Sequence, residues 1–169
     1  MGANKNLLIY VVEDNKMYNK IVTEFLLREG FKNVKSFLSG KECVRTVKGG
    51  ESPDIVIQDY HLQDSTGIEV LVNVKKHSKH SEFVFLTANE DMEVAVNSIK
   101  YGAYDYIIKD SELSLKKVLN KIDKISKLIQ LQRRNKVIKT AMIASLCILV
   151  AIVIFTALHT FFDAFGLQR

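Results

Sequence analysis

The chain has 169 residues, 47% of them hydrophobic and 25% charged, with one proline and eight glycines; this is the make-up of one ordinary domain with an appendage, and it excludes a disordered, collagen-like or mucin-like chain. The net charge of +5 is unevenly placed, because residues 1–128 carry 19 Lys and Arg against 18 Asp and Glu, whereas residues 129–169 carry five against Asp163 alone. The main part is therefore near neutral, which argues against a nucleic-acid binder, and Cys43 and Cys147, which share no metal or redox spacing, read as reduced structural thiols.

In chain order, apolar runs of strand length are LLIYVV (7–12), VKSF (34–37), DIVIQ (54–58), FVFLT (83–87) and YIIK (106–109). Helical spacing lies between them. Tyr18, Ile21, Val22, Phe25 and Leu26 form one stripe, and Cys43, Val44 and Val47 a shorter one. Ile68, Leu71, Val72 and the stem of Lys75 form the third, and Met92, Ala95, Val96 and Ile99 the fourth. Gly30, Gly49, Gly67 and Gly102 punctuate these segments. Five β–α units in about 125 residues imply an α/β fold, a doubly wound parallel sheet covered by helices on both faces.

A last helix starts after Ser111, which reads as its N-cap, and no stop signal follows. Leu115, Val118, Ile122, Ile125 and Ile129 are spaced 3, 4, 3, 4, a heptad seam. Packing on the sheet accounts for its first half. From Ile125 onward the seam is expected to run past the domain with nothing of its own to cover, as a self-association seam or a membrane-surface stretch. Thr140 to Phe162 then carries 23 residues without a formal charge, about 34 Å of helix at ~1.5 Å per residue, enough to cross a hydrocarbon core of ~30 Å. Arg133, Arg134, Lys136 and Lys139 flank its N-terminal side, and Asp163 and Arg169 the other. That asymmetry predicts a single-pass protein in the cell membrane with residues 1–139 cytoplasmic. The expected division is 5–128 for the main domain, 129–139 for a basic helical extension, 140–162 for the span and 163–169 for a short external tail.

Chemistry concentrates at the strand ends. Glu13 and Asp14 follow the first strand, Asp59 the third, Thr87 ends the fourth and Lys109 the fifth. In a doubly wound sheet these carboxyl ends border one cleft. Three acids cannot all stay ionised there unless a cation shares the site, and hard oxygen ligands suit Mg2+. A lysine and a hydroxyl beside them would hold a phosphoryl group on one acid, by electrostatic positioning.

With VVEDN (11–15), IQDYHLQDSTGIEVL (57–71), LTA (86–88) and AYDYIIK (103–109), the chain resembles the receiver domain of two-component response regulators over roughly residues 5–128. The resemblance implies a flavodoxin-like sheet of strand order 2-1-3-4-5. It implies that Asp59 is the phosphoacceptor, served by a histidine kinase or phosphotransfer protein. It further implies Mg2+ held by Asp14, Asp59 and the backbone carbonyl of His61, with Glu13 assisting through water. Thr87 and Lys109 would contact the phosphoryl oxygens, and Tyr106 would be the switch aromatic. Apart from self-catalysed phosphorylation and dephosphorylation, such a chain is not an enzyme. Two places depart from the family pattern: Gln63 and Asp110 stand where prolines are usual.

Other functions fit less well. A phosphatase of the haloacid-dehalogenase type needs D-x-D-x-[TV] after the first strand, and VVEDNKM lacks it. A nucleotide or flavin module would need a phosphate loop after Val12, where EDNKM is acidic. No helix-turn-helix pattern follows residue 128, so nucleic acid is not an expected partner. A receiver-like adaptor that acts by binding alone is the alternative. A homodimer through the final α/β units and helix 112–136 is a further expectation.

Overall fold

The computed structural model describes residues 3–88, 90–110, 112–164 and 166. The expected cap Ser111 and, within the expected tail, residues 165 and 167–169 lie outside them. The chain divides into two units, residues 1–127 and 128–169.

In the first unit the elements alternate. They are β1 (Leu8–Val12), α1 (Lys16–Arg28), β2 (Asn33–Phe37), α2 (Gly40–Lys48) and β3 (Ile55–Gln58), then β4 (His61–Leu62) and β5 (Ser65–Thr66), α3 (Gly67–His77), β6 (Glu82–Thr87), α4 (Met92–Lys100), β7 (Asp105–Ile108) and the first part of α5 (Glu112–Ala164). Five strands form a parallel sheet of order β2-β1-β3-β6-β7. The two-residue strands β4 and β5 form a separate antiparallel ladder in the turn-prone stretch after Asp59. Without that ladder the order is the expected 2-1-3-4-5.

Every residue of Ile55-Val56-Ile57-Gln58 is buried, as a central strand covered on both faces requires. Alternation divides the core in two. Tyr10, Val12, Val56, Phe83 and Phe85 join Cys43 and Val47 of α2 and Val70, Leu71 and Val74 of α3 in one cluster. Ile9, Val11, Ile55, Ile57, Val84 and Leu86 alternate with these and point to the opposite face, equally buried. Burial, with the Glu42 carboxylate adding to it, pushes the Cys43 thiol up to about 12, in keeping with a structural role. Among the described residues Cys147 is likewise free, and it is exposed.

Three expectations are corrected. The fourth stripe is not a core stripe: Met92, Val96 and Ile99 are exposed, and only Ser98 of α4 is buried. Ile21 of α1 is also exposed, its place being taken by Val22 and Leu26. The heptad seam does not run out at Ile125. Ile122 and Ile125 are fully buried and Ile129 is 8% exposed, so these side chains are unavailable for self-association. The helix is still part of the first unit at this point, where the N-terminal arm bonds to it: the Ala3 N–H donates to Asp123 Oδ1 at 2.8 Å and the Asn4 N–H to Ser126 Oγ at 2.8 Å. Residues 3 and 4 thus pack with the first unit, ahead of the expected start at residue 5.

In the second unit α5 continues to Ala164, and its described side chains from Gln130 to Phe161 are all exposed. It is long and apolar enough to cross a membrane by length and composition.

Candidate functional site

The register of the sheet decides which strand ends meet. Val12 pairs with Gln58, Gln58 with Phe85, and Thr87 with Ile108. The residues immediately beyond, Glu13, Asp14, Asp59 and Lys109, therefore emerge at one edge. Main-chain bonds hold them there: Glu13 N donates to Phe37 O at 3.0 Å, Asp59 N to Val12 O at 2.9 Å and Lys109 N to Thr87 O at 2.8 Å. Neither acid after β1 caps the next helix. Asn15 does so, its side chain accepting from the N–H groups of Met17 and Tyr18. Glu13 and Asp14 are thereby left to the cleft.

Lys109 joins the acids. Its Nζ donates to Glu13 Oε2 at 2.6 Å and to Asp59 Oδ2 at 2.7 Å, and lies 4.5 Å from the centre of the Tyr18 ring. Burial alone would lower the lysine's pKa, but the bonds to Asp59 and Glu13 outweigh it, and the ammonium is held above its ordinary value. Burial raises Glu13, an effect that the bond to Lys109 only partly offsets. Together Glu13, Asp14 and Asp59 contribute −3 and Lys109 +1, a formal −2.

Ligand oxygens of Glu13, Asp14 and Asp59 all lie within 4.8 Å of one another. Three hard oxygen donors with a surplus of negative charge are the donor set a small divalent cation takes. The residues present fit Mg2+.

The loop after β3 closes one side of the cleft. His61 N donates to Asp59 Oδ1 at a long 3.4 Å, and the β4–β5 ladder fixes the His61 backbone beside it, with its ring edge-on to Tyr60. At the loop tip Gln63 N donates to Asp14 Oδ2 at 3.0 Å. Asp64 accepts from Ser39 Oγ at 2.6 Å and from the N–H groups of Gly40 and Lys41 at 3.0 Å each, fastening the tip to the start of α2. Burial opposes ionisation of Asp64, yet the Ser39 hydroxyl, the two N–H groups and the Ser65 hydroxyl prevail and hold its pKa at about 2.

On the other side Thr87 is buried at the end of β6, and the half-buried Tyr106 lies on the adjacent strand β7, in register with Phe85. Burial first, then the neighbouring Tyr60, Asp59 and Asp91, push the Tyr106 phenol up to about 12. Asp110 N donates to Ile108 O at 2.9 Å and its carboxylate accepts from Lys117 Nζ at 3.1 Å. This departure from proline is thus tied down on its own helix side.

Glu13, Asp14, Asp59, His61, Thr87 and Lys109 come to this edge, with Tyr106 on β7 beside Thr87. Sequence reasoning missed Tyr18, Gln63 and Asp64. For Asp64 a signal existed: Ser39-x-x-Glu42 marks a helix start, which attracts a carboxylate. For Gln63 there was none, since it acts through its main chain.

The sequence profile described as response regulator receiver domain matches residues 9–123. The chain is 30% identical over 122 residues to the chemotaxis protein CheY-3 of Vibrio cholerae, covering 70% of this chain and 93% of that protein. It is 36% identical over 92 residues to the regulatory protein LuxO of the same species, covering 53% of this chain but only 20% of LuxO. Among solved structures, the BeF3-activated DrrB receiver domain superposes with a TM-score of 0.62 at 28% identity, covering 71% of this chain and 97% of that one. The shared part is the α/β unit.

Proposed function

The chain belongs to the response regulator receiver domain family, and from that premise we propose that it is a membrane-tethered receiver whose Asp59 accepts a phosphoryl group from a histidine kinase or phosphotransfer protein. The observation that carries the reading is the Asp59 carboxylate at the end of β3, 2.7 Å from Lys109 Nζ and within the Glu13–Asp14 acidic cluster. A free carboxylate oxygen attacks phosphorus, and the phosphorus–nitrogen bond of the donor histidine breaks as the new phosphorus–oxygen bond forms. Lys109 then exchanges part of its pairing with Asp59 for a phosphoryl oxygen, and the Thr87 hydroxyl takes another. Asp14, Asp59 and the His61 carbonyl would hold Mg2+, with Glu13 assisting through water; when bound, the ion supplies charge neutralisation for the incoming phosphoryl oxygens. Tyr106 lies on the strand next to Thr87 and its phenol feels the Asp59 charge, which supports Tyr106 as the switch aromatic.

Tethering rests on the apolar stretch 140–162, exposed at its described side chains up to Phe161, and on the basic residues before it. In this reading the first unit faces the cytoplasm. Exposed Met92, Val96 and Ile99 on α4 and Leu113 on α5 supply apolar surface for a partner or a second copy. Such pairing uses the outer surface, since Ile122 and Ile125 are buried.

Full-length protein in detergent micelles, incubated with Mg2+ and acetyl phosphate, gains one phosphoryl mass. Asp59→Asn does not, and EDTA suppresses the gain. An adduct that persists in Asp59→Asn refutes the assignment. Protease added outside spheroplasts leaves the first unit intact, and its digestion would overturn the orientation.

A further inference from the structure

The loop tip 63–64 is held from two directions, and only one hold concerns the cleft. Asp64 is fastened to the start of α2 by three hydrogen bonds, from Ser39 Oγ, Gly40 N and Lys41 N, and accepts a fourth from the neighbouring Ser65 hydroxyl. The Leu62–Gln63 peptide, whose N–H belongs to Gln63, lies one unit before Asp64, held between that anchored residue and Leu62, which pairs with Ser65 across the β4–β5 ladder. This N–H donates to Asp14 Oδ2 at 3.0 Å.

We propose that the Gln63 main-chain N–H is a positioning group for Asp14. It occupies one carboxylate oxygen and so presents the other to the divalent cation. The inference rests on the reading of Glu13, Asp14 and Asp59 as a Mg2+ site. An aspartate side chain at a half-exposed loop otherwise samples several rotamers, and only some aim an oxygen at the cluster. Holding Oδ2 from a backbone that is itself pinned by Asp64 removes that freedom before the cation arrives. The donor belongs to the main chain, so the side chain at position 63 is nearly free to vary, with one exception. Proline has no N–H, and it would delete the contact. The residue at position 63 therefore sets how far Asp14 is preorganised, and glutamine in place of the proline usual in this family keeps the bond available.

The test uses full-length protein in detergent micelles, with Mg2+ binding followed by titration calorimetry in the absence of any phosphodonor. Gln63→Ala keeps the N–H and binds Mg2+ as wild type does. Gln63→Pro binds about tenfold to a hundredfold more weakly, the scale of one hydrogen bond to a charged group that orients a metal ligand, while its urea unfolding stays cooperative. Equal or tighter binding by Gln63→Pro overturns the proposal while leaving the Mg2+ site standing. Wild-type protein that binds no Mg2+ overturns the site reading and this inference with it. Should Gln63→Pro fail to fold, amide exchange decides: the Gln63 amide exchanges at least about tenfold faster in Asp14→Ala than in wild type, while the Gly40 and Lys41 amides, bonded to Asp64, keep their rates. Identical Gln63 exchange in the two proteins overturns the proposal.

Discussion

Helices α3 and α4 have similar lengths and similar apolar content, yet they stand in opposite relations to the sheet. α3 buries Val70, Leu71 and Val74 in the core cluster, and its first turn is closed by a capping box between Thr66 and Glu69. α4 buries only Ser98, and its Met92 is 77% exposed. One wall of the acidic cleft is thus welded to the core, and the wall nearest Thr87 and Tyr106 is loosely attached. Elements that change position in signalling are drawn from the low-stability end of a fold. The difference teaches that this domain is unevenly built: the α3 side, with the anchored loop 59–66, is fixed to the core, and the α4 side keeps its apolar residues at the surface, where the proposed switch would act.

Paired truncations break that comparison most directly. Leu71→Ala is expected to cost about 2–5 kcal/mol of stability, the range for emptying a buried leucine site. Ile99→Ala on α4 should stay within about 0.5 kcal/mol, as exposed substitutions do. Urea unfolding of the full-length variants, followed at the first unit's tyrosines, measures both. Comparable losses would remove the asymmetry. Next in size is Gly67→Ala at the start of α3. A Cβ there would come within 2.5 Å of Phe85 Cε1, 2.8 Å of Gln58 Nε2 and 2.9 Å of Asp59 O. Two of those neighbours are held: Gln58 Nε2 donates to Gly67 O at 2.6 Å, and Asp59 follows a buried strand. Overpacking of this kind costs about 1–3 kcal/mol, and because it presses on Asp59 the same variant should also accept phosphoryl more slowly from acetyl phosphate.

How much of this was legible follows from what each feature is made of. Strand ends and their acids were readable because Ile55-Val56-Ile57 and Phe83-Val84-Phe85 are continuous apolar runs buried on both faces, and polar groups follow the runs even where, as at Glu13 and Thr87, they are themselves buried. The α4 stripe misled because helical spacing shows that a helix has an apolar side, and says nothing of whether the sheet has room to cover it. Ile125 misled in the opposite sense: it is fully buried, on a stretch of helix whose Asp123 and Ser126 are bonded by Ala3 and Asn4, about 120 residues earlier in the chain. Gln63 was seen as a missing proline, whereas its contribution is a main-chain N–H whose partner only the folded loop reveals.

The anchored loop offers a smaller test. Asp64→Asn removes a carboxylate that serves the first turn of α2, and a lost helix-start partner costs about 1 kcal/mol. Asp64 is held well below the ordinary carboxylate value, at about 2 against 3.8. A depressed acid stabilises the folded state above its unfolded value and ceases to do so as pH falls through its folded one. The gap between wild type and Asp64→Asn should therefore be full above pH about 4 and close towards pH about 2, read from thermal midpoints. A gap that persists unchanged at pH 2 would show that the loop is held by packing instead of charge.

The smallest effect lies on neither wall, in the cleft between them. Glu13 is buried, and burial raises its pKa above 4.5 in spite of Lys109. The sign is the reverse of that for Asp64. An acid raised on folding favours the native state below its unfolded value, and that favour is lost as pH rises through its folded value. At neutral pH the ionised Glu13 is accordingly a cost carried by the site, partly relieved at 2.6 Å by Lys109 Nζ. Glu13→Gln keeps an oxygen that can accept from Lys109 and removes the charge. It should match wild type near pH 4 and become the more stable protein as pH rises towards 7, by up to about 1 kcal/mol. Lys109, whose own pKa is raised, loses its contribution only at alkaline pH and does not enter this window. The same variant should weaken Mg2+ binding, because the charge that costs stability is part of what neutralises the cation. Stability that falls in Glu13→Gln at pH 7 would mean that the Lys109 pairing outweighs the burial, and that the cleft is held by its own charges as firmly as α3 holds its wall.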